Sequence, residues 1–234
     1  MTYPVAILAG GLATRMKPIT ESTPKSLIVV DGEPFIAKQL KYLKTQKVTQ
    51  VVICTGHMGK KIQDVVGDGS LFGLQVHYSW DGTKLLGTGG ALKKAQPLLG
   101  DKFFVIYGDS YLPIKFSSVE KAFSTSKKKA LMVILENRDQ WDKSNVLYQD
   151  GKLLAYNKHT NSRDMLFIDY GLAILRSDVF SDYNHSCPFG LETIYEQLAR
   201  DRELEGFISY ERFYEIGSHK GLVETEKYFK EGRN

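Results

Sequence analysis

The sequence predicts an α/β protein with a mostly parallel central sheet, and two observations carry that prediction. In the first half of the chain, short apolar runs alternate with segments whose apolar residues recur at helical spacing. The apolar runs are continuous, which suits strands that are covered on both faces of a sheet. Of the 234 residues, 42% are hydrophobic and 12% aromatic, enough to bury a substantial core.

Four strands and three helices are predicted in the first half. The strands are PVAILAG, QVVICTG, LQVHYSW and FFVIYGDS. The helices are PFIAKQLKYLKTQ, MGKKIQDVVGDG and TGGALKKAQPLL. In the first helix, Ile36, Leu40 and Leu43 share one face and lysines occupy the other. This alternation of strand and helix predicts neighbouring parallel strands.

The second half is less regular. NVLYQDGKLLAYNK predicts a β-hairpin that turns at Asp150-Gly151, because Asp-Gly favours a two-residue turn. The other predicted elements are the strands ALMVILE and FIDYGLAIL and the helices LETIYEQLARD and HKGLVETEKYFKEG. No internal repeat or low-complexity linker marks a boundary, so we expect a single domain over residues 1–234.

Charge and composition argue against several classes of function. The net charge of +4, from 31 basic and 27 acidic residues, permits an anionic small molecule but does not indicate nucleic acid. Cys54 and Cys187 do not have metal-binding spacing. No apolar stretch approaches the ~18 residues of a membrane span, and the N-terminus lacks the basic segment of a signal peptide. We expect a cytoplasmic protein that binds neither nucleic acid nor membrane, with its oligomeric state left open.

Glycine-containing turns follow three predicted strands. They contain Gly10-Gly11, Gly87-Thr88-Gly89-Gly90 and Gly108-Asp109. Ligands of open α/β sheets bind outside the carboxyl ends of the strands, so we expect these turns at one edge. Glycine lets backbone N–H groups approach phosphate oxygens, Arg15 could clamp a phosphate, and Lys25 could add a point charge. Gly-Gly alone would favour a tight turn with surface charges, but the spaced set with Arg15 and Pro24-Lys25 favours an anion site.

The segment LAGGLATRMKPITESTPKSL resembles the signature of the sugar-1-phosphate nucleotidyltransferases, roughly L-A-G-G-x-G-T-R-L-x-P-x-T-x-x-x-P-K-x-L, with Ala13 where the family usually has Gly. The similarity continues through VDGEPFIAKQLKYL, LLGTGGAL, VIYGDS and FYEIGSHKGL. It implies a Rossmann-like (GT-A-like) single domain, with a mostly parallel mixed sheet flanked by helices and a β-hairpin in the substrate-binding part.

The resemblance implies that a nucleoside triphosphate and a sugar 1-phosphate give a nucleotide sugar and pyrophosphate. Such phosphoryl chemistry depends on positioning and charge neutralisation. Residues 1–115 would bind the nucleotide and residues 116–234 the sugar phosphate. The chain ends soon after the last helix, without room for the C-terminal β-helix of some members, so we expect nucleotidyl transfer alone.

The resemblance also assigns roles on the nucleotide side. The predicted nucleotide-binding residues are Leu8, Ala9, Gly10, Gly11, Asp81, Gly87 and Thr88. Arg15 would hold the triphosphate and the leaving pyrophosphate, and Lys25 would reach the phosphates at the reacting centre. Asp81 could accept hydrogen bonds from N1–H and N2–H₂ of guanine, or it could be a turn residue with Gly82.

Two acidic residues are the predicted ligands of Mg²⁺, the implied cofactor. Asp109 matches the family's metal-binding Gly-Asp, and a carboxylate just past a buried strand suits Mg²⁺, with an Asp that caps the next turn as the alternative. The second ligand, normally an Asp, corresponds to Glu215 in YEIGS, which is one methylene longer. The alternative is that Asp109 and the phosphates hold the ion alone.

The predicted sugar-phosphate-binding residues are Gly108, Lys158, Asp169, Tyr170, Gly171 and Glu192. Lys158 would contact the substrate phosphate, or be a plain surface lysine. Asp169-Tyr170-Gly171 stands where many members have Asn-x-Gly, so a donor is lost. Glu192 would meet sugar hydroxyls, or be a first-turn glutamate favoured by the helix dipole.

Substrate identity stays open at this stage. Asp81 favours GTP with a heptose- or mannose-type sugar, and UTP- or CTP-using enzymes are the alternatives. One of these is a phosphocholine-type cytidylyltransferase, for which Trp80, Tyr170 and Tyr210 could form an aromatic wall. A non-catalytic nucleotide-binding protein is a further alternative, favoured by Ala13 and Glu215.

Overall fold

The structure is a computed structural model that describes residues 2–11, 16, 18–159, 162–183 and 187–232. Its main strands are β1 (Val5–Leu8), β2 (Val29–Val30), β3 (Glu33–Pro34), β4 (Gln50–Thr55), β5 (Gln75–Trp80), β6 (Lys102–Tyr107), β7 (Ser110–Tyr111), β8 (Ala130–Glu136), β9 (Val146–Gln149), β10 (Lys152–Tyr156), β11 (Phe167–Arg176), β12 (Leu204–Ser209) and β13 (Tyr214–Glu215). The helices are α1 (Phe35–Thr45), α2 (Gly59–Val66), α3 (Gly87–Leu99), α4 (Phe116–Ser126), α5 (Leu191–Arg200) and α6 (His219–Lys230).

A nine-stranded sheet runs through this described part of the chain. Strands β5, β4, β1 and β6 lie side by side and are all parallel. Strand β11 extends the sheet antiparallel to β6 and pairs on its other edge with β8, which in turn pairs in parallel with β12. The β9–β10 hairpin attaches to β11 at the pair Phe167 and Val146. The predicted mixed, mostly parallel sheet is confirmed.

Helices cover both faces of this sheet. Alternate strand residues enter different cores, with Ile7 and Ile53 in one and Ala6 and Val52 in the other. Helices α1, α2 and α4 pack on the first core, and α3 and α5 on the second. Burial on both faces explains why the strands are apolar throughout rather than at alternate positions.

The strands and helices predicted from sequence are all present. The predicted hairpin turns at Asp150 (φ 48°) and Gly151 (φ 73°), a pair of positive angles that suits its Asp-Gly sequence. Helix α4 and strand β12 were missed. The sequence of α4, FSSVEKAFSTS, is rich in serine and threonine, which have modest helix propensity, so tertiary packing of its apolar face decides its structure.

A small second sheet, β7–β13, pairs Tyr111 with Tyr214 and Ser110 with Glu215. Packed beside it is a third apolar cluster that includes Phe35 and Phe229. The β7–β13 pairing therefore joins the middle of the chain to the segment that leads into α6. Among the described helices, none is both long and apolar enough to cross a lipid bilayer.

Candidate active site

A first cavity of about 240 Å³ opens at the carboxyl ends of the parallel strands. Every residue predicted to bind the nucleotide lines it, namely Leu8, Ala9, Gly10, Gly11, Asp81, Gly87 and Thr88. Lys25, Gly108 and Asp109 line it as well, so Gly108 lies here rather than with the sugar-side residues. The predicted convergence of the glycine turns at one edge therefore occurs.

Backbone hydrogen bonds hold these turns together beyond the strand ends. The N–H of Gly108 donates to the carbonyl of Leu8 at 2.9 Å, and the N–H of Asp81 donates to the carbonyl of Thr55 at 2.9 Å. A Cβ on Gly108 would lie 3.1 Å from the same Leu8 oxygen, so glycine allows this close approach.

The carboxylate of Asp81 turns into the first cavity. Its Oδ2 lies 3.1 Å from where a Cβ on Gly56 would be and 3.5 Å from the equivalent point on Gly10. Burial raises the pKa of the Asp81 carboxyl, which the N–H of Leu86 and the charge of Lys94 oppose. The cavity wall thus presents a hydrogen-bond acceptor at Asp81.

The glycines at the start of α3 also have a packing role. A Cβ on Gly87 or Gly89 would collide with Phe189, and Gly87 has a φ of 73°. The Thr88 hydroxyl accepts from the N–H of Leu191 at 2.8 Å, at the start of α5. The Thr88 side chain therefore has a structural role, since it connects the start of α3 to the start of α5.

The β7–β13 pairing brings the two predicted metal ligands together. The N–H of Ile216 donates to the carbonyl of Asp109 at 2.9 Å. A Cβ on Gly217 would lie 2.7 Å from Oε2 of Glu215 and 3.2 Å from Oδ2 of Asp109. The two carboxylates therefore approach each other beside this glycine, although they are about a hundred residues apart in sequence.

The longer side chain of Glu215 is accommodated by its surroundings. Its Oε1 accepts from the hydroxyl of Ser218 at 2.6 Å, and its Oε2 accepts from the N–H of Gly217. A Cβ on Gly221, in the first turn of α6, would collide with Oε1. Each oxygen keeps a second lone pair, so the carboxylate is fixed in place and still able to bind a cation.

These carboxylates fit a magnesium ion. Mg²⁺ is usually bound through one or two carboxylates, with substrate phosphates and waters completing its octahedron. Within the described residues, no group of three or more His, Cys, Asp or Glu side chains forms a metal cluster. The pair of Asp109 and Glu215 matches a site that a bound triphosphate completes.

Lys25 lies at the same point. Its Nζ donates to Oδ2 of Asp109 at 2.9 Å. It begins the short 3₁₀ turn Lys25–Leu27, after the extended Pro24. Arg15, the other predicted cation, lies outside the described residues, and its role stays a prediction.

A second cavity of about 490 Å³ adjoins the first, and Tyr107 and Asp109 line both. The predicted sugar-side residues on it are Lys158, Asp169, Tyr170 and Gly171. Glu192 lies in the first turn of α5, outside the lining of both cavities. Burial and the nearby carboxylates of Asp169, Glu192 and Asp109 raise the pKa of Tyr107 well above its ordinary value, so its phenol stays protonated.

A bulge in β11 exposes Asp169 to the second cavity. The pairing register with β8 shifts here, and Gly171 adopts a φ of 89° while its N–H donates to Oδ1 of Asp169 at 2.8 Å. The ring of Tyr170 packs edge-on against Phe213 in the core and is 1% exposed. Tyr170 can therefore offer a sugar its backbone but not its ring.

The Asp169 carboxyl should make stability depend on pH. Burial raises its pKa to about 6, against the opposing effects of the Gly171 N–H and Lys158. The folded state then binds the proton more tightly than the unfolded state, so stability falls as pH rises from about 4 to 6. Asp169→Asn keeps an acceptor for Gly171 without a charge, and should raise the free energy of unfolding by about 1–2 kcal/mol at pH 8 but not at pH 4.

Urea unfolding at both pH values measures this difference, with Asp164→Asn, at an exposed position, as the control. An equal effect of Asp169→Asn at pH 4 and pH 8 would contradict the assignment.

The sequence did not predict the role of Arg212, which lies on the second cavity among an acidic and two aromatic side chains. Arg212 pairs with Glu224 of α6 through Nη2 and Oε2 at 2.7 Å. Its guanidinium lies 4.7 Å from the ring centre of Tyr214 and 5.5 Å from that of Trp141. The only sequence signal was an arginine three residues before Glu215, in ERFYEIGS.

The aromatic wall considered for a choline group does not form from the predicted residues. Trp80 stacks on Tyr78 at 6.0 Å, Tyr210 is 91% exposed, and the ring of Tyr170 is buried. Trp80 and Tyr210 are also absent from the lining of the two cavities.

An α/β fold whose strand ends hold a glycine-lined cavity, with a lysine and two carboxylates beside it, suits a protein that binds a phosphate-bearing ligand with a divalent ion. The family model described as nucleotidyl transferase matches residues 5–144, so the chain belongs to the nucleotidyl transferase family. The predicted class, the sugar-1-phosphate nucleotidyltransferases, is confirmed by relatives of that class.

Two relatives and one solved structure illustrate the similarity. An N-acetylmuramate alpha-1-phosphate uridylyltransferase of Neisseria meningitidis is 40% identical over 121 residues, which cover 51% of this chain and 51% of the relative. A D-glycero-alpha-D-manno-heptose 1-phosphate guanylyltransferase of Campylobacter jejuni is 26% identical over 211 residues, 90% and 93% of the two chains. HddC from Yersinia pseudotuberculosis, complexed with GMP-PN, has a TM-score of 0.79 at 25% identity, over 97% and 99%.

The first of these alignments spans only about half of each protein and falls short of the whole length of the uridylyltransferase. Full-length structural neighbours are GT-A-like nucleotidyltransferases, which confirms the predicted fold.

Proposed function

We propose that this protein transfers a nucleotidyl group from a nucleoside triphosphate to a sugar 1-phosphate and releases pyrophosphate. One observation carries the proposal: the two cavities share Asp109, which is paired with Lys25 and faces Glu215. A nucleoside in the first cavity and a sugar in the second would bring their phosphates together at this junction.

The protein's own groups would act mainly by positioning and by neutralising charge. Lys25 and Arg15 would bind the triphosphate, and Lys158 would bind the sugar phosphate. Asp109 and Glu215 would hold Mg²⁺, which when bound neutralises the phosphate oxygens. The sugar phosphate oxygen would attack the α-phosphorus, and the bond to the leaving pyrophosphate would break.

The division of labour along the chain supports this arrangement. The first cavity is lined by residues between 8 and 109, and most of the second by residues beyond 109. We therefore propose nucleotide binding by residues 1–115 and sugar-phosphate binding by residues 116–234, within one domain.

GTP with a heptose- or mannose-type sugar is the substrate pair that we propose. Asp81 offers an acceptor, and guanine has two adjacent donors, N1–H and N2–H₂. The heptose guanylyltransferase relative aligns over 90% of this chain, and HddC was solved with GMP-PN. UTP is the second candidate, because the uridylyltransferase relative has the higher identity, 40%.

Pyrophosphate release tests the proposal, with GTP, UTP, CTP and dTTP each combined with a panel of sugar 1-phosphates. Release that requires one triphosphate and one sugar phosphate is the expected result, and the preferred pair identifies the substrates. Tight nucleotide binding without release in any pairing would instead indicate a non-catalytic binding protein.

Asp81→Asn tests the proposed base contact. The amide replaces one acceptor oxygen with a donor that would meet guanine N–H groups, and a hydrogen bond to a charged group contributes about 1.5–3 kcal/mol. We expect kcat/KM for GTP to fall by about 10- to 100-fold, with the KM for the sugar phosphate unchanged. Equal losses with GTP and UTP, or none, would show that Asp81 does not recognise the base.

A further inference from the structure

A protein cation lies beside the proposed metal site and contacts one of its two carboxylates. Besides its 2.9 Å contact with Oδ2 of Asp109, the Nζ of Lys25 lies 3.4 Å from the point that a Cβ on Gly217 would occupy. Oε2 of Glu215 lies 2.7 Å from that point. The ammonium is thus a positive charge in direct contact with Asp109 and close to Glu215.

The contact is partly shielded from solvent. The side chain of Lys25 is 16% exposed and that of Asp109 is 28% exposed. Screening by water and salt is weaker at such a site than at the surface, so charges there interact more strongly. A divalent ion that bound Oδ2 of Asp109 would meet the ammonium at short range and be repelled by it.

We propose that Lys25 holds the place of the divalent cation until the triphosphate arrives. The phosphates then offer Lys25 a new anionic partner, and Asp109 is released to the ion. Metal and nucleotide therefore bind more tightly together than either binds alone. This inference rests on the proposed function, since it takes the triphosphate to be the second partner of Lys25.

This exchange gives a coupling free energy between the two ligands, which is reciprocal by linkage. In the free protein, the ammonium of Lys25 also offsets the repulsion that the two neighbouring carboxylates would otherwise have. The lysine thus stabilises the empty site and competes with the ion for it.

Mn²⁺ binding to the protein without nucleotide or sugar phosphate tests the proposal, with free Mn²⁺ measured by electron paramagnetic resonance. Lys25→Met keeps much of the stem and removes the charge. It should bind Mn²⁺ about tenfold more tightly than wild type, within the usual range of coupling energies. Lys25→Arg, which keeps the charge, should bind no more tightly than wild type.

Lys220→Met is the matched control, because Lys220 lines the second cavity but contacts Glu224 rather than Asp109. It should leave Mn²⁺ affinity within about twofold, as expected for a solvent-exposed charge. The double variant Lys25→Met with Asp109→Asn should lose the tightened binding. Thermal unfolding of each variant checks that the fold is retained.

Two results would overturn the proposal. One is Lys25→Met binding Mn²⁺ no more tightly than wild type. The other is an equal gain in Lys220→Met, since overall charge would then explain the effect. Because no substrate is present, the proposal can fail while transferase activity stands, and it can hold if the nucleobase assignment is wrong.

Discussion

Asp109→Asn should lower kcat for pyrophosphate release by about 10³-fold, the upper range for loss of a group that stabilises a charged transition state. The amide would keep the size of the side chain but not the charge that binds a divalent ion and pairs with Lys25. The facing carboxylate of Glu215 would remain as a single ligand. Steady-state kinetics with the preferred substrate pair measures the loss, at magnesium concentrations up to saturation.

Asp178→Asn is the control for this prediction, since Asp178 is half-exposed and pairs with Arg176 away from both cavities. It should change kcat by less than about twofold, as is usual for a surface ion pair. Turnover of Asp109→Asn within tenfold of wild type would mean that this carboxylate does not act on the reacting phosphates.

Gly221→Ala should disable the site without changing any proposed ligand. The added methyl group would collide with Oε1 of Glu215 and lie 2.6 Å from the carbonyl oxygen of the same residue. Alanine has the higher helix propensity, so propensity alone predicts a more stable α6. We expect the opposite, a loss of about 1–3 kcal/mol through overpacking, and a fall in kcat of about 10²-fold as the carboxylate is displaced.

Val223→Ala provides a comparison on the same helix, at a position that is 67% exposed. It should leave kcat unchanged and Tm within about 2 °C, because it removes little buried surface. If Gly221→Ala retained wild-type turnover and stability, the packing of Glu215 against α6 would not be required for the reaction.

The sequence by itself determined the class of fold and most of its elements. Continuous apolar strands, helical spacing in α1 and the Asp150-Gly151 turn are local patterns, and local patterns fix local structure. The same holds for the glycine turns after the strands. In a parallel sheet their place is set by chain direction, which is why their convergence on the first cavity was predictable.

The tertiary structure decided how distant segments meet. Nothing in YEIGS shows that Gly217 and Gly221 make room for the longer Glu215, or that β13 pairs with β7 beside Asp109. Strand alternation alone puts Tyr170 and Asp169 on opposite faces of β11, but the register shift with β8 and the positive φ of Gly171 beside Asp169 were not visible in the sequence.

The ion pair of Lys25 and Asp109 and the cluster around Arg212 have the same origin. Each contact joins residues of different elements, so no pattern within one element indicates it. Spacing along a chain specifies which side chains share a face of one element, but the close packing of different elements selects their partners.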